Sequence, residues 1–141
     1  MKLQEKIKSI LSELVENSLK YNSAQTNLEM HITARDTDSH PVIRDRIPGQ
    51  QRYLLIEFSD SGQGIAQEKK NRIFLPLETT SEEGEGSGLG LFIIRKTLNK
   101  MNGHIRETGQ NGAKFEIHIP YPQEEKNEYF EGYRQYSSAV G

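Results

Sequence analysis

The sequence of 141 residues contains no cysteine. This absence excludes disulfide bonds, thiolate catalysis and cysteine-ligated metal sites, and it is compatible with a reducing compartment. No apolar run approaches the roughly 20 residues of a membrane span, and no signal-peptide pattern opens the chain. We therefore expect a soluble, cytoplasmic protein without direct membrane insertion, although a longer parent protein could carry a membrane anchor.

The sequence also has little net charge. Its 18 basic and 20 acidic residues leave a formal charge of −2, which provides no strong field to attract nucleic acid or anionic surfaces, so we expect no nucleic-acid partner. Hydrophobic residues make up 33% of the chain, and the polar excess lies in residues 36–52 and from Gln123 onward. We predict one domain over residues 1–122 and a polar, flexible tail over residues 123–141.

Hydrophobic spacing predicts two long helices and several strands. Apolar residues recur at three- and four-residue steps in the first helix, and they alternate with polar residues in the strands. In chain order we predict a helix over 4–22, a half-buried strand over 28–34, an exposed loop over 36–52, a buried strand over 53–58 that leads to Asp60, a short helix over 67–74, a helix from 87 or 88 to about 101, and a hairpin of strands over 104–108 and 113–119. This order predicts a two-layer α/β sandwich with a mixed, mainly antiparallel sheet and helices on one face.

Two glycine-bearing segments suggest a nucleotide site. They are Asp60-Ser61-Gly62-Gln63-Gly64-Ile65 and Gly86-Ser87-Gly88-Leu89-Gly90-Leu91, and neither matches a Walker A loop or a dinucleotide fingerprint. Asp60, at a strand end, could accept a hydrogen bond from an exocyclic amine such as that of adenine. In the second segment, glycines and a helix N-terminus would let backbone N–H groups approach a phosphate. For each segment alone, an ordinary turn or loop is an equal or better interpretation.

The first helix carries a polar stripe beside its apolar face. Glu13, Asn17, Lys20 and Tyr21 follow one another at helical steps. The carbonyl oxygen of Asn17 suits Mg²⁺, a hard ion that accompanies phosphates. Glu13 could orient or deprotonate a water or an acceptor group, and Lys20 could contact phosphate. A solvated flank with a Glu16–Lys20 pair would explain the charges, but it does not explain asparagine in mid-helix, where its propensity is poor.

In this order, the segments resemble the four boxes of the GHKL ATP-binding superfamily, which includes gyrase, Hsp90, histidine kinases and MutL. The helix around Asn17 resembles the N box, the Asp60 segment the G1 box and the Gly86 segment the G2 box. The run Arg72-Ile73-Phe74-Leu75-Pro76-Leu77-Glu78-Thr79-Thr80 resembles the F box. The residues within these boxes, which include Asn17-Ser18-Leu19-Lys20-Tyr21, are most similar to those of the catalytic domain of sensor histidine kinases. The resemblance covers roughly residues 4–120 and implies a Bergerat fold.

The resemblance implies an ATP site with Mg²⁺. Asp60 would bind the adenine amine, Tyr21 would pack against the base, and Asn17 would coordinate Mg²⁺ and the phosphates. Residues between Thr79 and Gly86 would form an ATP lid. The residues that the resemblance assigns to ATP are Asn17, Lys20, Tyr21, Asp60, Gly62, Gly64, Ile65, Thr80, Gly86, Ser87, Gly88, Leu89 and Gly90. Those that it assigns to catalysis are Glu13, Asn17 and Lys20, and Asn17 is its metal ligand.

The phosphoryl acceptor is not evident in the chain. None of the histidines, His31, His40, His104 and His118, lies in the helical His-Glu/Asp context of an acceptor, and we interpret each as structural or surface. The resemblance therefore implies that the γ-phosphoryl group of ATP goes to a histidine on a separate dimerisation domain, with a response regulator as a further partner. We expect no autophosphorylation of this chain alone.

Two other functions stay open. The chain could be a stand-alone serine/threonine kinase of the anti-sigma-factor type, or an ATP-dependent interaction module that transfers nothing. A gyrase-like clamp fits least well, since the transducer domain is missing. The F box departs from the family pattern at Leu77 and Glu78, where further aromatic residues are usual, and this departure concerns the packing of the lid.

Overall fold

The computed structural model describes residues 2–41, 51–76 and 89–121. Within these ranges the helices are α1 (Leu3–Tyr21) and α2 (Gly90–Lys100), and the strands are β1 (Met30–Thr37), β2 (Tyr53–Asp60), β3 (His104–Glu107) and β4 (Lys114–Pro120). Two short 3-10 turns, Gln67–Lys69 and Arg72–Phe74, stand where we predicted one short helix. Neither α1 nor α2 is long and apolar enough to cross a membrane.

The four described strands form one sheet in the order β1-β2-β4-β3. All three pairings are antiparallel, and the hairpin of β3 and β4 places Glu107 opposite Phe115. Both helices pack on the same face of this sheet, where the side chains of Phe58 and Ile117 meet Leu14 of α1 and Leu98 of α2. The predicted α/β sandwich with helices on one face is confirmed, and its described sheet is entirely antiparallel.

The buried core shows which surfaces the regularly spaced apolar residues of the helices and strands cover. Alternate residues of β2 and β4 point at the helices, and the apolar stripes of α1 and α2 cover them. Each fully buried aliphatic or aromatic side chain stabilises the fold by about 1.5–3 kcal/mol relative to an exposed one. The buried members of this core are Ile10, Leu14, Ile56, Phe58, Phe74, Ile94, Leu98, Ile105, Ala113, Phe115, Ile117 and Ile119.

Strand β1 differs from its prediction. Its alternating sequence predicts a half-buried strand, but residues 31–36 are exposed and Ile32 keeps 48% of its surface accessible. The reason is that the buried core residues of the sheet lie on β2, β3 and β4, whereas β1 lies beyond β2 at the edge away from this core. Met30, at the start of β1, packs against the core.

Phe74 anchors the segment that follows the first glycine loop. Its side chain is 3% exposed, and its ring meets Phe115 edge-to-face with the centroids 6.2 Å apart. The guanidinium of Arg95 lies 5.0 Å from the centroid of the Phe74 ring, within the range of a cation–π contact. The F-box-like segment is therefore fixed to both β4 and α2.

Histidines gather on the sheet face opposite the helices. The ring of His40 lies 5.0 Å from Tyr53, 5.3 Å from His104 and 5.2 Å from His118. Burial, reinforced by the charge of His40, lowers the pKa of His118 to about 4. The pKa of His104 is also lowered, first by burial and then by Arg106 and Arg95. These histidines belong to a packed cluster on strands and a loop.

Candidate nucleotide-binding site

The centre of the candidate site is the carboxylate of Asp60, at the end of β2. The residue is 7% exposed. Its Oδ1 accepts hydrogen bonds from the N–H groups of Gly62 at 2.9 Å and Ala113 at 3.1 Å, and its Oδ2 accepts one from Ser18 Oγ at 2.7 Å. A carboxylate offers about four acceptor positions. Among the described residues, these three donors leave one position, on Oδ2, for a further donor such as an amine.

Ser18 is a site residue that sequence reasoning missed. It lies on the buried face of α1, one turn after Leu14 and two turns after Ile10. A serine that continues an apolar stripe needs a buried hydrogen-bond partner, because an unsatisfied buried hydroxyl is costly. That irregularity in the stripe is the signal that could have identified it.

Asn22 was also missed, and it joins α1 to the first glycine loop. It is the buried C-cap residue of α1, and its Nδ2 donates to the carbonyl of Ser18 at 2.8 Å. Its Oδ1 accepts from the N–H of Gln63 at 3.0 Å, and Gln63 Nε2 donates to the carbonyl of Tyr21 at 3.1 Å. Nothing in the local sequence distinguishes this asparagine from an ordinary residue after a helix.

Gly62 and Gly64 of the first loop are each required by a different local constraint. A Cβ on Gly62 would lie 2.2 Å from Oδ1 of Asn22, so only glycine fits against that side chain. Gly64 has a φ of 77°, which a side chain would strain. Ile65, the next predicted site residue, packs against the core. The loop is thus shaped around Asn22 and Asp60.

The polar stripe of α1 is only partly assembled. Glu13 and Asn17 are half-buried, whereas Lys20 and Tyr21 are exposed. Glu13 lies against Gly90, where a Cβ would come within 2.0 Å of the Glu13 carboxylate. The structure therefore brings Glu13 to the start of α2. The packing of Tyr21 against a base stays a prediction.

The start of α2 offers the second half of the candidate site. The helix begins at Gly90 with Leu89 as N-cap, and no side-chain hydrogen bond caps this end among the described residues. The first N–H groups of a helix lack intrahelical partners and carry partial positive charge, which favours a phosphate. The predicted start at 87 or 88 lies outside the described residues, as do the predicted site residues Thr80, Gly86, Ser87 and Gly88, the lid, residues 42–50 of the long loop and the tail.

These residues fit an adenine nucleotide better than a metal held by protein alone. Within the described ranges, no three carboxylate or imidazole groups are arranged to hold a metal ion. A Mg²⁺ ion would therefore depend on phosphate oxygens together with a ligand such as the Asn17 carbonyl. A groove of about 270 Å³ between α1 and α2 includes Glu13 and Gly90 but does not reach Asp60, so it is not the adenine pocket.

Comparison with protein families identifies the fold and its relatives. A family model described as histidine kinase-, DNA gyrase B-, and HSP90-like ATPase matches residues 2–123. The adaptive-response sensory kinase SasA of Prochlorococcus marinus is 30% identical over 112 residues, which are 77% of this chain and 26% of SasA. The sensor kinase CckA of Brucella abortus is 38% identical over 77 residues, which are 52% of this chain and 8% of CckA. The chain thus spans about a quarter or less of these curated relatives.

Solved structures share the architecture. The nucleotide-free catalytic domain of the histidine kinase ThkA is 29% identical, with a TM-score of 0.62 over 84% of this chain and 68% of that domain. Full-length ShkA in complex with AMPPNP matches 81% of this chain and 21% of its own, with a TM-score of 0.60 and 24% identity, a likeness that concerns the fold alone.

Proposed function

The chain belongs to the family of histidine kinase-, DNA gyrase B-, and HSP90-like ATPases, and from this membership we propose that it is the ATP-binding catalytic domain of a sensor histidine kinase. In this role it donates the γ-phosphoryl group of ATP to a histidine on a separate dimerisation domain. The sensor kinases among its relatives and the likeness to the ThkA catalytic domain support this member of the family over the others.

The observation that carries the proposal is the carboxylate of Asp60. Three donors of the protein hold it, and one acceptor position on Oδ2 is left. The 6-amino group of adenine is a donor of the right kind, whereas guanine presents a carbonyl oxygen there. Gly62 and Gly64 let the loop pack closely against the Asn22 side chain and the Gly112 backbone, which keeps the loop in place beside Asp60.

We assign the polar stripe of α1 and the start of α2 to the binding of the ATP phosphates. Asn17 would hold Mg²⁺, which when bound neutralises phosphate charge, and Lys20 would add a positive charge. Glu13, beside Gly90, would orient the acceptor group. The predicted lid between Thr79 and Gly86, which includes Thr80, would be closed around the phosphates by Gly86, Ser87, Gly88 and Gly90. Catalysis in such a site consists mainly of positioning and charge neutralisation.

The proposal implies partners outside the chain. His104 and His118 are strand residues of a packed cluster, and His31 lies in the edge strand β1. None of them lies on a described helix, so the acceptor would come from a separate histidine-bearing domain, and a response regulator would receive the phosphoryl group next. Because ATP is the donor, we place the domain in the cytoplasm. The division into a domain over 1–122 and a tail over 123–141 stays part of the proposal.

Calorimetry and phosphotransfer test the proposal together. Wild type should bind Mg·ATP, Asn17→Ala should abolish that binding, and Asp60→Asn should weaken it at least about tenfold, since an amide nitrogen cannot accept from adenine. Asn99→Ala, at an exposed asparagine of α2, is the matched control and should bind like wild type. Unchanged affinity in both site variants would refute the assignment of the pocket.

The class of kinase is tested by incubation with γ-labelled ATP and an added acceptor hairpin from a sensor kinase. Acid-labile label on the hairpin is the expected result. Acid-stable label on a partner protein would instead indicate a serine/threonine kinase of the anti-sigma-factor type. Binding of ATP with no transfer to any acceptor would indicate an interaction module.

A further inference from the structure

Lys70 and Glu107 form a buried ion pair beside the candidate adenine site. The Glu107 side chain is 0% exposed and the Lys70 side chain 12%. The ammonium group of Lys70 contacts Glu107 Oε1 and donates to the carbonyl of Gly109 at 2.9 Å. Glu107 Oε2 accepts from the N–H groups of Gly109 at 3.1 Å and Lys114 at 3.0 Å. Each end of the pair therefore has at least two polar partners inside the protein.

Stability alone does not account for this pair. Removing two charges from water is costly, and well-packed apolar residues of similar size are often equally or more stabilising at such positions. Glu107 stands opposite Phe115 on the helix-covered face of the sheet, where an apolar residue would be ordinary. The carboxylate instead fixes the geometry of the turn between β3 and β4, because its Oε2 accepts hydrogen bonds from residues on both sides of that turn.

That turn holds the Asp60 carboxylate. The N–H of Ala113 donates to Asp60 Oδ1 at 3.1 Å, and the Ala113 carbonyl accepts from the Asp60 N–H at 2.9 Å. Gly112 lies so close that a Cβ there would be 2.1 Å from the Asp60 carbonyl oxygen. Glu107 bonds Lys114 on one side of Ala113 and Gly109 on the other. It therefore fixes the position of the amide that orients Asp60.

Lys70 connects the same unit to the F-box-like segment. It directly follows the 3-10 turn Gln67–Lys69, and Phe74, four residues later, packs on Phe115 of β4. The ammonium group thus ties the chain between the glycine loop and Phe74 to the turn that supports Asp60. The turn between β3 and β4 therefore supports both the Asp60 carboxylate and the segment that leads to the predicted lid.

We propose that Lys70 and Glu107 are positioning residues for adenine recognition, which they serve by holding the turn 109–112 against Asp60 without touching the nucleotide. This inference rests on the proposed function, because it concerns how the same site selects its base. When the pair and its bonds are lost, Asp60 keeps its charge and its bonds from Ser18 and Gly62, but the Ala113 N–H that orients it from the hairpin is no longer held in place. Affinity for ATP should then fall more than affinity for GTP.

The test replaces the pair by apolar residues. In Lys70→Met/Glu107→Leu no charge is left unpaired in the core, so the protein should still fold, as its circular dichroism and cooperative melting will report. We expect the dissociation constant for ATP to rise about tenfold and the preference for ATP over GTP to shrink by a similar factor. Amide hydrogen exchange at Ala113, measured by NMR without nucleotide, should become at least about tenfold faster.

Two further variants sharpen the result. Lys70→Met/Glu107→Gln restores a neutral acceptor for the two turn N–H groups but not the bond from Lys70 to the Gly109 carbonyl, so it should recover only part of the lost affinity and exchange protection. Arg106→Met/Glu116→Gln removes an ion pair on the opposite face of the same hairpin and should change neither quantity. An apolar double variant that folds, and keeps wild-type ATP preference and Ala113 exchange, would overturn the inference.

The outcome separates this inference from the proposed function. If wild type does not bind ATP, the proposed function fails, whereas the exchange of Ala113 still reports whether the pair positions the turn. If wild type binds ATP and only the positioning effect is absent, the pocket assignment stands and the role of Lys70 and Glu107 is wrong.

Discussion

The Ser18 hydroxyl donates a 2.7 Å hydrogen bond to Asp60 Oδ2 and so joins α1 to the end of β2 across 42 residues of sequence. Both side chains are buried, and the two N–H groups on Oδ1 complete the arrangement. The orientation of the candidate base-binding carboxylate is therefore set jointly by a helix, a glycine loop and a hairpin. A change in any of the three should therefore alter the binding of the nucleotide by Asp60.

Removal of the Ser18 hydroxyl should weaken ATP binding without unfolding the domain. In Ser18→Ala, the Asp60 carboxylate loses one hydrogen bond, and because bonds to charged groups are worth about 1.5–3 kcal/mol, we expect the ATP dissociation constant to rise about tenfold or more. Calorimetry measures this dissociation constant. Ser23→Ala, at an exposed serine just after α1, is the control. Equal ATP affinity in the two variants would show that Ser18 does not orient Asp60.

A methyl group at Gly62 should break the contact between the glycine loop and α1. The added Cβ would lie 2.2–2.5 Å from atoms of the Asn22 side chain, which two hydrogen bonds hold in place. Gly62→Ala should lower the free energy of unfolding in urea by about 1–3 kcal/mol, the range for overpacking a buried contact.

A double-mutant cycle checks the origin of that loss. Asn22→Ala removes the side chain that the new methyl group strikes, so Gly62→Ala should cost much less in the Asn22→Ala background. Additive losses would place the cause in the backbone of Gly62 instead of in this contact.

Phe74 should contribute far more stability than its neighbour. Phe74 packs between Phe115 and Arg95, whereas Leu75 is 46% exposed. Phe74→Ala should lower the free energy of unfolding by about 3–5 kcal/mol. Leu75→Ala should lower it by less than about 1 kcal/mol. Chemical denaturation compares the two, and similar losses would contradict the anchoring role of Phe74.

Acid should destabilise the domain through His118. Burial holds its folded-state pKa at about 4, below the ordinary value of 6.5, with His40 as the next cause and Glu116, His104 and Arg106 also facing it. Between these pH values the unfolded chain binds a proton that the folded chain does not. The stabilisation is therefore complete above about pH 6.5 and is lost as the pH falls, by about 3 kcal/mol near pH 4.

Urea unfolding over that pH range tests the prediction. His118→Gln should reduce the pH dependence, because no imidazole is left to charge at that position, and the lowered pKa of His104 accounts for part of the dependence that remains. His31→Gln, at a side chain that is 70% exposed, should leave the dependence as in wild type. If His118→Gln retained the full loss in acid, groups elsewhere would be responsible.

The sequence signals on which the candidate site was predicted are local. Asn17 stands in mid-helix against its propensity, Asp60 follows a buried strand, and Gly90 opens a helix; each pattern occupies a few neighbouring residues. The same holds for the helices, whose apolar stripes encode the faces that they bury. The predicted hairpin of β3 and β4 is confirmed for the same reason, since its strands flank a short glycine-bearing turn.

Contacts between distant parts of the chain had no such signal. Lys70 and Glu107 meet across 37 residues, and Asn22 meets Gln63 across 41. The alternation of β1 indicated a buried face, yet the packed sheet places β1 beyond β2, at the edge away from the buried core. The amino-acid order alone thus specified the fold class and most of the helices and strands, because short-range spacing encodes them, whereas the assignment of residues to a nucleotide stays a prediction. The tertiary structure alone decided how the Asp60 carboxylate is held, since its partners become neighbours only when α1, β2 and the hairpin pack together.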